Sequence, residues 1–236
     1  MGGGGWAILA TLLTTALLIY DLEKPERFLY ILLRPQWKSW LTRGAVILIG
    51  FSTVSALWWL GTATDVLSAS MHTLFAVVTL PLAAATAAYT AFLFAQAEGR
   101  DLWQSPALPL HLIVQCLMMG SAVYLLLGWA PSAEMVTAAR ITFAASLVVD
   151  AFLLVFGELG VPHASEIAAR AAHEIREGRY RTLFWRDAIV FGHLVPLLLV
   201  WFGGGVPGAA AALLAGYGLY AYEYAFVTAP QEIPNS

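Results

Sequence analysis

The sequence predicts an all-helical integral membrane protein, a bundle of about seven transmembrane helices carrying one amphipathic surface helix. Three observations predict it. Hydrophobic residues make up 60% of the 236 residues and charged residues only 11%, less than half the share of a water-soluble domain. The mean hydropathy is +0.74. The apolar residues also lie in long uninterrupted runs, and no two-residue alternation competes with them to suggest strands.

A spanning helix needs about 20 apolar residues, and the stretches near 3–20, 44–61, 70–97, 107–129, 134–157, 186–203 and 206–227 qualify. The first has no basic N-terminal region and no small-residue cleavage site before Asp21, so it reads as a retained helix rather than a signal peptide. The third is long enough to tilt or protrude. Trp58, Trp59, Trp103, Trp129, Trp185 and Trp201 fall near span ends, as interfacial aromatic belts do. The whole chain, 1–236, reads as a single transmembrane domain.

Within it, the 158–185 connector places Ala164, Ile167, Ala168, Ala171 and Ile175 on one helical stripe. Glu166 with Arg170 and Glu177 with Arg181 are spaced for i,i+4 pairs. This predicts a helix lying on the membrane surface or beneath a partner protein.

Alternate connectors share a face. One face collects the 21–43, 98–104 and 158–185 segments and the C-terminal tail, and with them, counting Arg186 at the edge of the next span, eleven of the twelve Lys and Arg residues; Arg140 alone belongs to the other. The positive-inside rule makes the basic face cytoplasmic, here of a bacterial inner membrane. The few basic residues are accompanied by acids, which excludes a nucleic-acid surface. The lone cysteine, Cys116, lies in an apolar run. It forms no internal disulfide, and one cysteine is too few for an iron–sulfur cluster held by this chain.

Ionisable residues inside spans cost several kcal/mol and are functional hypotheses by default. Here they gather toward the basic face. At 1.5 Å per residue, Asp21, His111, Asp150, Glu158, His193 and Glu223 all lie within roughly 10–12 Å of it, with Gln115 one turn beyond His111. A quinone head group needs hydrogen bonds to two carbonyl oxygens and two protons exchanged with water. Histidine suits the first task, which assigns His111 to the quinone; buried acids and histidine suit the second, which assigns proton transfer to Asp150, Glu158, His193 and Glu223. Two alternatives stand beside this. His111 and His193 at similar depth suit a bis-histidine haem b subunit, and Asp150, His193 and Glu223 suit a proton- or ion-translocating subunit, although no internal repeat accompanies them.

The 21–45 segment, DLEKPERFLYILLRPQWKSWLTRGA, holds five of the twelve basic residues between two nearly uncharged spans. It resembles the signature of the NrfD / polysulfide-reductase membrane-subunit (PsrC-like) family at Asp21, Leu22, Pro25, Arg27, Phe28, Ser39, Trp40 and Gly44. Phe184, Trp185, Gly192 and Pro196 are similar to later family positions. The resemblance implies a membrane anchor of a multi-subunit oxidoreductase. Such a subunit binds menaquinone or ubiquinone, and carries neither haem nor an iron–sulfur cluster itself. It partners a ferredoxin-like iron–sulfur subunit, which relays electrons to or from a molybdopterin catalytic subunit in a respiratory chain. It further implies that Asp21 hydrogen-bonds the quinone or accepts its proton. Arg27 and Arg43 would hold that carboxylate ionised or bind the partner, Pro25 and Pro35 would stiffen the loop, and Ser39 and Trp40 would shape the pocket wall. Family members usually have about eight spans, one more before the helix that ends in Asp-Leu, and several present this motif to the periplasm, opposite to the charge count here.

Overall fold

The computed structural model describes residues 2–20, 31, 33–128 and 132–233. Among these every regular element is helical. In chain order they are α1 (Gly2–Tyr20), α2 (Trp40–Ala63), α3 (Ala69–Ala95), a 3₁₀ turn (Asp101–Gln104), α4 (Leu108–Leu127) and α5 (Ala133–Phe152). Then follow a π-helical segment π1 (Leu153–Glu158), α6 (Glu166–Arg176), a second segment π2 (Leu183–Leu194), α7 (Val195–Trp201) and α8 (Val206–Glu232).

Five continuous helices are long and apolar enough to cross a membrane: Trp40–Ala63, Ala69–Ala95, Leu108–Leu127, Ala133–Glu158 and Leu183–Trp201. The other two expected spans differ from these. The apolar part of α1 is the shorter Gly5–Tyr20. Helix α8 has 27 residues, but its Ala, Gly and Tyr content and Glu223 make it less apolar than the five. Much of the surface is large apolar side chains, including Leu80, Leu198, Leu213 and Trp201. That is what hydrocarbon, rather than water, accepts as solvent.

The chain forms two compact units, residues 1–93 and 94–236. In the first, α1 lies along α2, while α2 and α3 meet through aromatic side chains. Trp40 stacks on Phe92 with ring centroids 4.2 Å apart, and Trp58 stacks on Phe75 at 6.1 Å and donates from Nε1 to His72 Nδ1 at 3.0 Å. Gly44 has a packing reason to be glycine: a Cβ there would stand 2.4 Å from the Tyr89 ring.

The second unit is built around α4, α5, α7 and α8. Its apolar core is a layer of Met118, Ala122 and Leu125 from α4, Phe143 and Leu147 from α5, Val200 from α7, and Ala211, Ala212 and Ala215 from α8. Helix α8 buries Gly208, Ala211, Ala215, Gly218, Tyr222, Phe226 and Ala229, a stripe at three- and four-residue spacing. Small residues on that stripe let backbones approach. The closest approach is between Gly192 and Gly218, where a Cβ on Gly218 would stand 2.1 Å from Gly192 Cα. Chain reversals use left-handed glycines: Gly128 (φ 61°) ends α4, and Gly205 (φ 65°) precedes α8. Arg140, the isolated basic residue, donates to the carbonyls of Val200 (2.8 Å) and Trp201 (3.3 Å), where α7 ends and its dipole favours a cation.

The expected amphipathic helix is α6, shorter than the connector that holds it. Ser165 caps it by accepting from Ala168 N and donates to Asp101. Ala168, Ala171, Ala172 and Ile175 are buried; Ala164, expected on the stripe, precedes the helix and is exposed. Glu166 and Arg170 pair at 3.8 Å. Glu177 faces His173 instead of Arg181, because the helix ends at Arg176 and i,i+4 spacing ends with it.

Candidate functional site

Two groups of the predicted site residues are brought together, one in each unit; Asp21 and Arg27 lie outside the described residues. In the first unit Ser39, Trp40 and Arg43 share the opening turn of α2. Ser39 is its N-cap in extended backbone, with no side-chain cap bond. The Arg43 guanidinium sits 4.7 Å from the Trp40 ring centroid, a cation–π arrangement, and its Nε donates to Trp37 O at 2.7 Å. Arg43 and Trp37 are exposed, so this corner presents an aromatic face and a cation outward.

In the second unit His111, Asp150, Glu158 and His193 form one buried cluster with Tyr222; all five are at most 3% exposed. Tyr222 donates its hydroxyl to Glu158 Oε2 at 2.6 Å. The same oxygen lies 2.9 Å from His111 Nδ1. His111 Nε2 is 3.0 Å from Asp150 Oδ1, and the other Asp150 oxygen is 2.9 Å from His193 Nε2. His193 Nδ1 faces the carbonyl of Ala188 at 2.7 Å. The result is a continuous chain, Tyr222–Glu158–His111–Asp150–His193, ending on a backbone carbonyl.

The local backbone places these groups. His111 comes from the first turn of α4, one turn before Gln115. Asp150 and Glu158 come from one continuous helix whose last part widens to π geometry. His193 reaches the carbonyl five residues earlier, the spacing on which a π-helix turns. π segments recur at functional sites because they re-aim side chains that an α-helical register would send elsewhere. The glycine contact between Gly192 and Gly218 lets π2 and α8 approach at this level.

Both nitrogens of each histidine face an oxygen; the contact to the Ala188 carbonyl needs its proton on His193 Nδ1, and each of the three carboxylate contacts needs one on either of its two atoms. The His193–Asp150 contact is aligned as a hydrogen bond, whereas the His111 contacts are short but lie off the hydrogen-bond directions. Gln115 Nε2, a donor, also stands 3.0 Å from His111 Nε2. A bare His111 Nε2 suits Gln115 and requires the proton on Asp150. A protonated one suits Asp150 and requires the amide reversed, with its oxygen forward. The two arrangements differ by the position of one proton and the orientation of the Gln115 amide. Glu158 Oε1 is buried and has no hydrogen-bond partner among the described residues.

Glu223, next to Tyr222 on α8, is only partly buried. His111, assigned to a quinone from its depth, is 0% exposed with both ring nitrogens engaged. Tyr222 and Asp187 were not singled out by sequence. Asp187 is buried and paired with Arg186 at 3.0 Å. Tyr222 lies on the small-residue stripe of α8, and that periodicity is the signal for it.

Comparison with known families matches residues 4–217 to the model described as polysulphide reductase, NrfD, which is most of the chain. No curated protein matches it.

Proposed function

The chain belongs to the NrfD polysulphide reductase family, which makes it a multi-pass membrane subunit of an oxidoreductase complex, and on that premise we propose that it is the quinone-interacting anchor of its complex. In this reading it exchanges electrons between menaquinone or ubiquinone and an iron–sulfur partner subunit, which in turn serves a molybdopterin subunit. The outward aromatic and cationic corner of Ser39, Trp40 and Arg43, continuous in sequence with Asp21 and Arg27, holds the head group or the partner. Oxidation of the quinol form supplies two electrons and two protons. Asp150, Glu158, His193 and Glu223, with His111 and Tyr222, take up or return the protons.

The observation that carries the reading is the buried chain of acids and histidines linked at 2.6–3.0 Å inside helices built for lipid. Burying such groups is expensive unless they are paired, and as a connected series they offer a proton successive short steps. A charged cleft of about 920 Å³ between α6 and the end of α8, lined by Glu166, Arg170, Glu174, Arg179 and Glu232, supports a protein partner at that end of the second unit.

The haem b alternative needs one unengaged nitrogen on each of two facing histidines. Here both Nε2 atoms converge on Asp150, which favours a proton carrier over an axial ligand pair. The test uses the complex purified with its partners. Asp21→Asn, Arg27→Ala and Asp150→Asn should each remove quinone-linked turnover while turnover with a soluble dye continues. Quinone turnover at the parental rate in all three overturns the proposal.

A further inference from the structure

We infer that Gln115 is a positioning residue of the buried cluster: its amide holds His111 Nε2 out of line with Asp150, and a proton crosses between those two groups only when the amide releases the ring nitrogen. This rests on the reading that the cluster carries protons, and names the side chain that governs one of the steps.

Gln115 stands one turn after His111 on α4, the i,i+4 spacing at which helical side chains meet. It is 5% exposed, and His111 and Asp150 are 0% exposed. Two groups stand 3.0 Å from the same ring nitrogen, His111 Nε2: the Gln115 amide and Asp150 Oδ1. Only the amide is aligned as a hydrogen bond. The contacts of His111 with Asp150 and Glu158 are short but off the hydrogen-bond directions. Gln115 is thus the one aligned side-chain partner of the ring among the described residues.

The surrounding contacts agree with a ring held in this way. Asp150 Oδ1 has no hydrogen-bond partner among the described residues, and the aligned bond of this acid runs through Oδ2 to His193 Nε2. His193 Nδ1 must carry a hydrogen for the Ala188 carbonyl, which leaves Nε2 as the nitrogen that exchanges a proton with Asp150. The other groups packed against His111 are Glu158 from π1, 2.9 Å from Nδ1, and Tyr222 from α8, with ring centroids 5.5 Å apart.

With the amide nitrogen forward, His111 Nε2 accepts from Gln115 and stays bare, and the proton rests on Asp150. With the amide reversed, its oxygen suits a protonated Nε2. Between the two states an O–H bond of Asp150 breaks and an N–H bond of His111 forms. No electron moves, and the charge of the cluster as a whole is unchanged.

The experiment uses the full chain in lipid nanodiscs at neutral pH, with histidine and glutamine side-chain nitrogens labelled. Solid-state magnetic resonance should show transfer from the Gln115 amide nitrogen to a bare ring nitrogen, which assigns His111 Nε2. Infrared spectra should show a protonated carboxyl band that is lost in Asp150→Asn. Gln115→Met keeps the length and removes the amide. It should replace one bare histidine resonance by a proton-bearing one and abolish that carboxyl band, two changes that loss of packing alone would not produce.

A parental His111 Nε2 that bears a proton overturns the inference, whether or not the variant folds. So does a bare Nε2 that persists in folded Gln115→Met, or a carboxyl band that Asp150→Asn does not reduce. Quinone-linked turnover at the parental rate in the Asp150→Asn complex removes instead the proton-carrying reading beneath it.

Discussion

At the scale of single residues, the cluster in the second unit is held by mutual dependence. Asp150 touches both histidines, so Asp150→Ala strands two buried bases at once, and removing one member of a buried ionic group typically costs about 3–5 kcal/mol. Asp150→Asn keeps the volume and one acceptor and should cost less than half of that. The pair is separated by thermal unfolding in detergent, and equal losses for the two variants would mean that Asp150 matters only for its bulk. Tyr222→Phe removes one hydroxyl that donates to Glu158. A buried hydrogen bond contributes about 0.5–1.5 kcal/mol, so this variant should be destabilised by at least about that much and lose proton-linked turnover before dye turnover. His111, Asp150, Glu158, His193 and Glu223 are legible in the sequence because acids and histidines stand out in apolar runs. Which of them bonds which is not legible there, since that is set by which face of each helix turns inward. Tyr222 does not stand out in the same way, because tyrosine is an ordinary residue near a membrane interface. Only the three- and four-residue stripe of α8, on which Tyr222 falls and Glu223 does not, marks it as facing the core.

At the scale of elements, helix existence was legible and helix register was not. Apolar length is a property of composition, and the expected 44–61, 70–97, 107–129, 134–157 and 186–203 runs correspond to the five spanning helices. The π segments leave no such mark. Their stabilisation comes from the neighbours they fit, here the Gly192–Gly218 contact, rather than from local propensity. Gly218→Ala tests that coupling directly. A methyl group 2.1 Å from Gly192 Cα must push α8 from π2, at about 1–3 kcal/mol for overpacking. It should also alter the ring environment of His193, one residue from the contact, in histidine-labelled magnetic resonance spectra. Unchanged stability together with unchanged His193 signals would show that the two segments approach without constraining each other. The surface helix was legible from its stripe, but its limits were set by Ser165, whose hydroxyl caps the start and holds Asp101. Loss of an N-cap costs about 1 kcal/mol, so Ser165→Ala should raise protease cleavage within 159–182 several-fold while leaving the spanning helices intact. Cleavage at the parental rate would mean that burial of Ala168, Ala171 and Ile175 alone fixes α6.

At the scale of the molecule, topology within the second unit follows from contacts that tie distant segments to the same end. The bond from Ser165 to Asp101 and the pairing of Arg179 with Glu232 at 2.7 Å place the 98–104 segment, α6 and the end of α8 together. At the other end Arg140 holds the last carbonyls of α7, just before the 203–205 turn. The basic residues of this unit are thus segregated by the fold itself, with Arg100, Arg170, Arg176, Arg179 and Arg181 at one end, Arg186 at the start of π2 just beyond them, and Arg140 engaged at the other. Orientation by positive charge then has a definite consequence. With Cys116 replaced by Ala, a membrane-impermeant maleimide added to intact cells should label Val206→Cys, which sits in an 83% exposed position, and should label Arg170→Cys only after permeabilisation. The reverse pattern would put the charged cleft on the outer face. The basic residues would then be serving a partner subunit rather than orienting the chain, because protein docking selects charge by complementarity whichever side of the membrane it occurs on. Either pattern also fixes the face to which the end bearing Glu158 and Tyr222 is nearest, and so the compartment from which quinone-linked protons are drawn.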